Sequence, residues 1–547
     1  MQKVLQLDPR DNVLIALTDL HSGERIEFGG KVHGLVSDVP AKHKFATCDL
    51  AAGADVVMYG VLVGKALHPI RDGEVLTLRN IRHEAAAYRD KTKEFRWTPP
   101  DATRWNQRDF LGYHRSDGQV GTRNYWLIVP LVFCENRNIL NLKQALEEEL
   151  GFAQPSPYRQ QVAKLAAGYR EKKSVADVHG SPNDPVVDHA ARLFENVDGI
   201  RFLLHEGGCG GTLEDSKNLC GLIAGYINHP NVAGATVLSL GCQHAQVEVL
   251  KEQIRVRNPD LDKPLVILEQ QKSGSESAML SHAIRGTFEG LVEANKATRT
   301  PSPLSKLCVG LKCGGSDGFS GLSANPAIGH TSDLLVTLGA RTILSEFPEL
   351  CGVEQDLINR AATKEVAERF MQLMQDYASR ARAVRASFDM NPSPGNMRDG
   401  LLTDAMKSAG AAKKGGASPV TAVLDYPEYS SVPGLNLQCT PGNDVECVTA
   451  QVGAGANLVL FTTGLGTPTG NPISPVLKIS TNTNLAQRMS DIIDIDTGPV
   501  ISGDVDIAKM GEKILELAIA VASGEVRTKA EQKNQEDFIP WKRGVSL

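Results

Sequence analysis

The chain has 547 residues, 41% hydrophobic and 22% charged. This is ordinary for a soluble globular protein, and because single cores stop growing at roughly 250–300 residues, two to four domains are expected. Lys and Arg number 58 against 64 Asp and Glu, a net charge of −6; that speaks against a nucleic-acid or anionic-membrane partner, which favours a basic face.

The opening MQKVLQLDPRDNVLIALTDL lacks a basic region followed by an apolar run and a small-residue cleavage site. It does not read as a signal peptide. Apolar runs such as Leu458–Phe461 fall far below the roughly 20 residues that span a bilayer. The ten cysteines are scattered. They are expected as thiols in a cytoplasmic protein, some of them as ligands.

Residues 1–95 read as a small β module. Short β-branched runs recur at Asn12–Leu17, Asp55–Tyr59, Val61–Ala66 and Glu74–Leu78, punctuated by Ser22-Gly23, Gly29-Gly30, Ala52-Gly53 and Asp72-Gly73. A polar linker, 96–111, carries Pro99-Pro100, which interrupts a helix or central strand. From Gly112 the texture changes. Apolar runs (YWLIVPLVF, IRFLLH, ATVLSLG, PLVILE, LCVGLK, ARTILSE, NLVLFTTG) alternate with helical patterns. Such runs fit buried parallel strands in Rossmann-like sheets. The fold class is therefore multidomain: the β module, then two α/β domains, 112–300 and 301–547, divided near 296–304, within the linker-like KATRTPSPLSK. Residues 153–196 read as an insertion with helical pieces at Arg159–Arg170 and Val187–Phe194.

Four apolar runs end in a cysteine: LIVPLVF-Cys134, FLLHEGG-Cys209, VLSLG-Cys242 and LCVGLK-Cys313. Ligands bind outside the carboxyl ends of parallel strands, and thiolates suit iron, zinc or an iron–sulfur cluster. The four thiols are thus candidate metal ligands, although a lone cysteine is more often a small buried hydrophobe. The other six (Cys48, Cys220, Cys308, Cys351, Cys439, Cys447) lack that context and read as structural.

Two loops read as chemical. Gly310–Gly321 (GLKCGGSDGFSG), running on to Asn325-Pro326, turns backbone N–H groups toward an anion and adds Lys312, Ser316 and Asp317. Thr462–Asn471 (TTGLGTPTGN), with Thr463 and Thr467, suits a polyhydroxylated or carboxylate ligand. Neither matches a P-loop or a dinucleotide fingerprint, so no NAD(P) is expected. The alternative for each is a plain turn. Of 13 histidines, His43 and His205 are the candidates for proton exchange.

At Gly112–Asn124 (GYHRSDGQVGTRN) the sequence resembles the altronate/galactarate dehydratase family. The likeness continues through Gly208-Cys209-Gly210, Gly241-Cys242, Cys313-Gly-Gly-Ser-Asp-Gly, Ser345-Glu346, Asn391–Asn396 (NPSPGN), Pro441–Asp444 (PGND) and Thr463–Pro468 (TGLGTP). The first module resembles that family's SAF domain through Ala41–Phe45 and Tyr59–Gly64. The resemblance implies dehydration of a sugar acid, altronate first, to a 2-keto-3-deoxy acid. Divalent iron or manganese is the implied activator; an iron–sulfur cluster is the other form that the four thiols allow. A homodimer or larger assembly is also expected. Two departures stand out. A His-x-His-Asn run of the family is replaced by Leu76–Asn80 (LTLRN), and Leu465 stands where the family often has Arg.

The C2 proton beside a carboxylate is weakly acidic and hydroxide leaves C3 poorly. A general base supplies roughly 10²–10⁴ in rate, and enzymes usually reach about 10⁶ or more. Strong electrostatic stabilisation is therefore required. The roles implied are Arg123, Lys312, Ser316 and Thr463–Thr467 on the carboxylate. Asn124, Asn325, Asn396, Asn443 and Asp444 are placed on the substrate hydroxyls, and His43, His205 and Asp317 with the proton chemistry. Two rivals of other classes are a non-catalytic sugar-acid-binding protein and a dehydrogenase.

Overall fold

The computed structural model describes residues 2–153, 157–178 and 191–547. Strands β1 (Val4–Leu5), β2 (Val13–Ala16), β3 (Arg25–Phe28), β4 (Lys31–Gly34), β5 (Lys44–Ala46), β6 (Asp55–Met58), β7 (Val61–Ala66) and β8 (Ile81–Arg82) build the small module. They pair antiparallel as β1-β2-β5, β3-β4 and β6-β7-β8. Glu74–Leu78, expected as a strand, contributes only the bridge Val75–Phe45. The module's apolar core runs on into Phe319, Leu322, Leu402, Ala405 and Met406 of the last domain.

Residues 83–102 then lie along that last domain. Arg89 N donates to Gln355 (3.0 Å) and Lys91 Nζ to the Ala361 carbonyl (2.6 Å). The expected linker 96–111 is part of this path, and its end is already strand β9 (Asp109–His114). β9 sits between β10 (Val120–Gly121) and β15 (Thr300–Pro303) in an antiparallel ribbon. The 296–304 segment, expected as a plain linker, thus supplies a strand: Ser302 is buried and pairs with Phe110.

The first α/β unit holds β11 (Tyr125–Pro130), β12 (Gly199–Phe202), β13 (Val232–Ser239) and β14 (Leu265–Glu269), all parallel, in the order β12-β11-β13-β14. β11 and β13 are buried along their whole length, as continuous apolar runs under helices on both faces require. The helix expected at Arg159–Arg170 spans Pro157–Arg170. Much of the helix expected at Val187–Phe194 lies outside the described residues, and residues 191–194 are not helical.

The second unit is a seven-stranded parallel sheet: β16 (Cys308–Cys313), β17 (Arg341–Leu344), β18 (Val420–Leu424), β19 (Gly434–Gln438), β20 (Leu458–Thr463), β21 (Val476–Ser480) and β22 (Ile495–Asp496). The order is β18-β19-β17-β16-β20-β21-β22. Val448, Val459, Phe461 and Ile473 of this unit share one core with Leu127, Leu222 and Val237 of the first. No helix among the described residues is long and apolar enough to cross a membrane.

Arg123 and Asn124 immediately precede β11, at its amino end, away from the carboxyl edges where ligands bind. Arg123 is buried and forms a two-pronged pair with Glu531 (2.7 and 3.0 Å), while its other nitrogen donates to the Val521 carbonyl (2.9 Å). Asn124 donates to the carbonyls of Asn196 (2.8 Å) and Ala294 (2.9 Å). Neither has a free group for substrate, so both are corrected from substrate contacts to structural clamps. Because breaking a buried pair leaves one charge uncompensated, Arg123→Leu should destabilise the fold by about 3–5 kcal/mol in urea titrations. A rise in KM with unchanged stability would restore the carboxylate-clamp role.

Candidate active site

Strand order in the second sheet reverses between β16 and β20. Ligands of open parallel sheets bind at such a switch point, outside the carboxyl ends. The two glycine-rich loops follow these two strands and are joined there. Gly314 N donates to the Thr462 carbonyl (3.0 Å), and Gly464 N and Leu465 N donate to the Gly315 carbonyl (3.1 and 3.0 Å). Gly315 has φ +58°, and a Cβ there would press on the Thr467 hydroxyl, so glycine is required. The Thr463 hydroxyl accepts from Gly466 N (2.9 Å) and Thr467 N (3.1 Å). Asn396, inside a capping box with Ser393, donates to the Ser316 carbonyl (2.7 Å). The Ser316 hydroxyl itself is buried without a partner. Such a group has a hydrogen bond to offer a ligand or a water.

Beneath the loops runs a buried chain of charges. Lys312, near the end of β16, pairs with Glu346 and with Asp444 (3.0 Å). The other Glu346 oxygen takes Lys414 (2.6 Å), and Lys414 also donates to Cys313 Sγ (2.8 Å). Cys313 donates to Glu349 (3.5 Å), and Glu349 pairs with Lys407 (2.8 Å). Burial alone would raise the Glu349 carboxyl; Lys407, Lys312 and Lys414 outweigh it and hold it at about 2. Burial pushes the Cys313 thiol up to about 11 despite Lys414. It pushes Asp404 up to about 8, helped by the nearby Glu349 charge. Glu346 has φ +69°, a left-handed backbone that costs a non-glycine residue about 1–3 kcal/mol and collects at functional sites.

The small module packs against these loops with the turn Ala41–Lys44. Lys42, at φ +74°, reaches Asp317 (3.0 Å) and Asp399 (2.8 Å). Lys44 is wholly buried and donates to the carbonyls of Lys42 (2.9 Å) and Gly400 (2.7 Å). Burial brings it down to about 7. His43 Nε2 lies 3.0 Å from the Arg398 carbonyl. A carbonyl only accepts, so Nε2 carries the hydrogen and Nδ1 is the ring's basic atom. Burial lowers the His43 pKa, which favours this neutral form. Asp317 is anchored by Phe319 N (3.2 Å) and the hydroxyls of Ser320 (3.0 Å) and Thr481 (3.1 Å).

The structure therefore brings His43, Lys312, Cys313, Ser316, Asp317, Asn396, Asp444, Thr463 and Thr467 together around the two joined loops. Asn325 is a strut: it accepts from Thr462 (2.6 Å) and donates to the Gly410 carbonyl (3.0 Å). Asn443 caps its helix by accepting from Val445 N and Glu446 N. His205 is corrected from a proton carrier to a structural residue. Its Nε2 donates to the Pro130 carbonyl (2.7 Å) and its Nδ1 accepts from Gly207 N (3.1 Å), so both ring nitrogens are occupied by main chain. The four-thiol metal site does not form as expected. Cys313 belongs to the second sheet and is buried, whereas Cys134, Cys209 and Cys242 follow strands of the first and are exposed. Among the described residues, the ligand atoms that come within 4.8 Å of one another as a group of three are those of Cys313, Glu346 and Glu349.

Three family descriptions match in chain order: the altronate/galactarate dehydratase SAF domain over residues 2–84, the second domain over 112–295 and the C-terminal domain over 304–546. Altronate dehydratase of Bacillus subtilis is 31% identical over 547 residues, all of both chains. The chain belongs to the altronate/galactarate dehydratase family. Altronate dehydratase of Escherichia coli is 31% identical over 99% of both chains. Galactarate dehydratase (L-threo-forming) of E. coli is 30% identical over 96% of this chain and 94% of that protein. It is a hydro-lyase family.

Within that frame, the residues the sequence reading passed over are Lys42, Glu349, Lys407 and Lys414. Lys407 had a readable signal. It stands on Asp404–Ala411 (DAMKSAGA), a helix buried along its length, where a lone lysine among small residues has no polar face to occupy. Asn80 of the departing Leu76–Asn80 run only closes its own turn, accepting from Thr77 N (2.7 Å), while Leu76 N pairs with the Lys44 carbonyl (2.8 Å) behind the Ala41–Lys44 turn.

Asp404 gives a test by pH. Held up at about 8, it keeps a proton in the folded chain that the unfolded chain has already lost. Its contribution is full below the ordinary carboxylate range and is lost as pH rises through about 8. Asp404→Asn should therefore gain stability relative to the parent as pH rises from about 4 to about 8 in urea titrations. A gap that does not change with pH would contradict a neutral Asp404.

Proposed function

We propose that this chain dehydrates D-altronate to 2-dehydro-3-deoxy-D-gluconate and water at the switch point of the second sheet. The observation that carries the reading is the meeting of the two glycine-rich loops over the buried lysine–glutamate chain. Full-length likeness to two altronate dehydratases supports the substrate. Galactarate is the second reading, because a galactarate dehydratase is nearly as similar.

In this reading the Ser316 hydroxyl and the N–H groups of the two loops receive the substrate carboxylate. His43 Nδ1 takes the C2 proton. The enediolate-like charge is met by fixed ammoniums, which cost no reorganisation during the reaction. The departing C3 hydroxide leaves as water with a proton from a lysine of the buried chain. The enol then ketonises.

Divalent iron or manganese, implied by the family resemblance, finds donors of the right kind in Cys313, Glu346 and Glu349. As they stand they do not fit it. Lys414 sits on Cys313 and Glu346, Lys407 sits on Glu349, and the thiol is held protonated.

A cytoplasmic setting is proposed from the ten free cysteines. A homodimer or larger assembly is proposed from the Pro157–Arg170 helix, whose Tyr158, Val162, Leu165 and Tyr169 share one exposed face. Light scattering that gives a strict monomer would contradict it.

Turnover with altronate and galactarate, measured side by side by keto-acid formation, tests the substrate: altronate should give the higher kcat/KM, and a preference for galactarate selects the second reading. His43→Gln should lower kcat by roughly 10²–10⁴-fold while leaving the melting temperature nearly unchanged, since the ring makes one peripheral hydrogen bond. Wild-type turnover in that variant would remove His43 from the mechanism.

A further inference from the structure

The first sheet has its own switch point. Its order β12-β11-β13-β14 reverses between β11 and β13, and Cys134 and Cys242 lie on the loops that follow those two strands. Cys209 lies on the loop after β12, the neighbour of β11. These loops are bonded to one another next to the cysteines. Phe133 N donates to the Gly207 carbonyl (3.1 Å) and Ala245 N to the Gly208 carbonyl (3.0 Å). Gly208, at φ +100°, lies so close to Leu131 that a Cβ would collide with its carbonyl. His205 clamps the β12 loop to Pro130, as described above. Gln243 clamps the third loop, accepting from Gly241 N (2.7 Å) and donating to Ser239 (2.7 Å) and the Ala245 carbonyl (3.0 Å). Three rigid loops thus carry three thiols, and all three thiols are exposed, unlike buried Cys220, Cys308, Cys439 and Cys447.

We propose that Cys134, Cys209 and Cys242 hold a [4Fe–4S] cluster. Thiolates are the ligands of such clusters. Each thiol releases its proton and binds a different iron, leaving the fourth iron without a protein thiolate. This arrangement spaces the sulfurs more widely than the ligands of one ion. Beside Cys209 opens a cavity of about 620 Å³, lined also by His205, Asp215, Trp541 and Lys542. The site stands on a different sheet and on different residues from the proposed active site, so either can fail alone.

The test is anaerobic reconstitution of the full chain with ferrous iron and sulfide. Iron and acid-labile sulfide should bind in equal amounts with broad visible absorption. Cys134→Ser, Cys209→Ser and Cys242→Ser should each lower bound iron and sulfide roughly tenfold or more, whereas Cys48→Ser should not. In the unmutated chain, which avoids any folding defect, reconstitution should protect these three thiols from alkylation and leave Cys48 reactive. Failure of the unmutated chain to retain sulfide, or equal alkylation before and after reconstitution, would overturn the proposal.

Discussion

The buried run Lys312–Glu346–Lys414–Cys313–Glu349–Lys407 is the constraint on which the second unit depends. Fully buried charges are tolerated only when each finds a partner, and removing one partner costs more than the pair contributes. The run therefore fixes several elements at once. It ties the end of β16 to the turn after β17, to the helix Asp404–Ala411 and to the turn that follows that helix. The left-handed backbone of Glu346 is the local cost of aiming one carboxylate at two lysines. Above this rigid floor the two loops leave Ser316 with an unused hydroxyl.

The candidate site belongs to two parts of the chain. The second sheet supplies the floor and the loops, and the small module supplies the Lys42–Lys44 turn. Docking of that module is both apolar, through Phe319, Leu322 and Met406, and polar, through Lys42 with Asp317 and Asp399. Burying Lys44 against two carbonyls is tolerated because its charge is already weakened there, at about 7. The turn is thus held in place on both sides of His43.

Much of this was legible in the sequence, for a physical reason. Long apolar runs with glycine-rich turns after them mark parallel strands and their carboxyl ends, so the loops at Gly314–Asp317 and Thr463–Thr467 were found without knowing the strand order. The Gly-Thr-Arg-Asn run at 121–124 misled because it comes before β11, not after it, and so lies at the wrong edge. Cys313 shares its strand-Cys-Gly-Gly texture with Cys209, yet the two strands belong to different sheets, and texture carries no information on which strands share a sheet. Lys414, in Ala-Ala-Lys-Lys-Gly-Gly, reads as a solvated turn. Only its bonds to buried Glu346 and Cys313 show that it points inward.

The central claim is that the substrate lies between the two loops of the second sheet, under the turn of the small module. Hydrogen–deuterium exchange of the full chain with and without the 2-keto-3-deoxy acid product measures this directly. The account predicts slower exchange at residues 314–318, 463–467 and 41–44 together. Protection confined to residues 205–211 and 538–546, around the cavity of the first sheet, would contradict it.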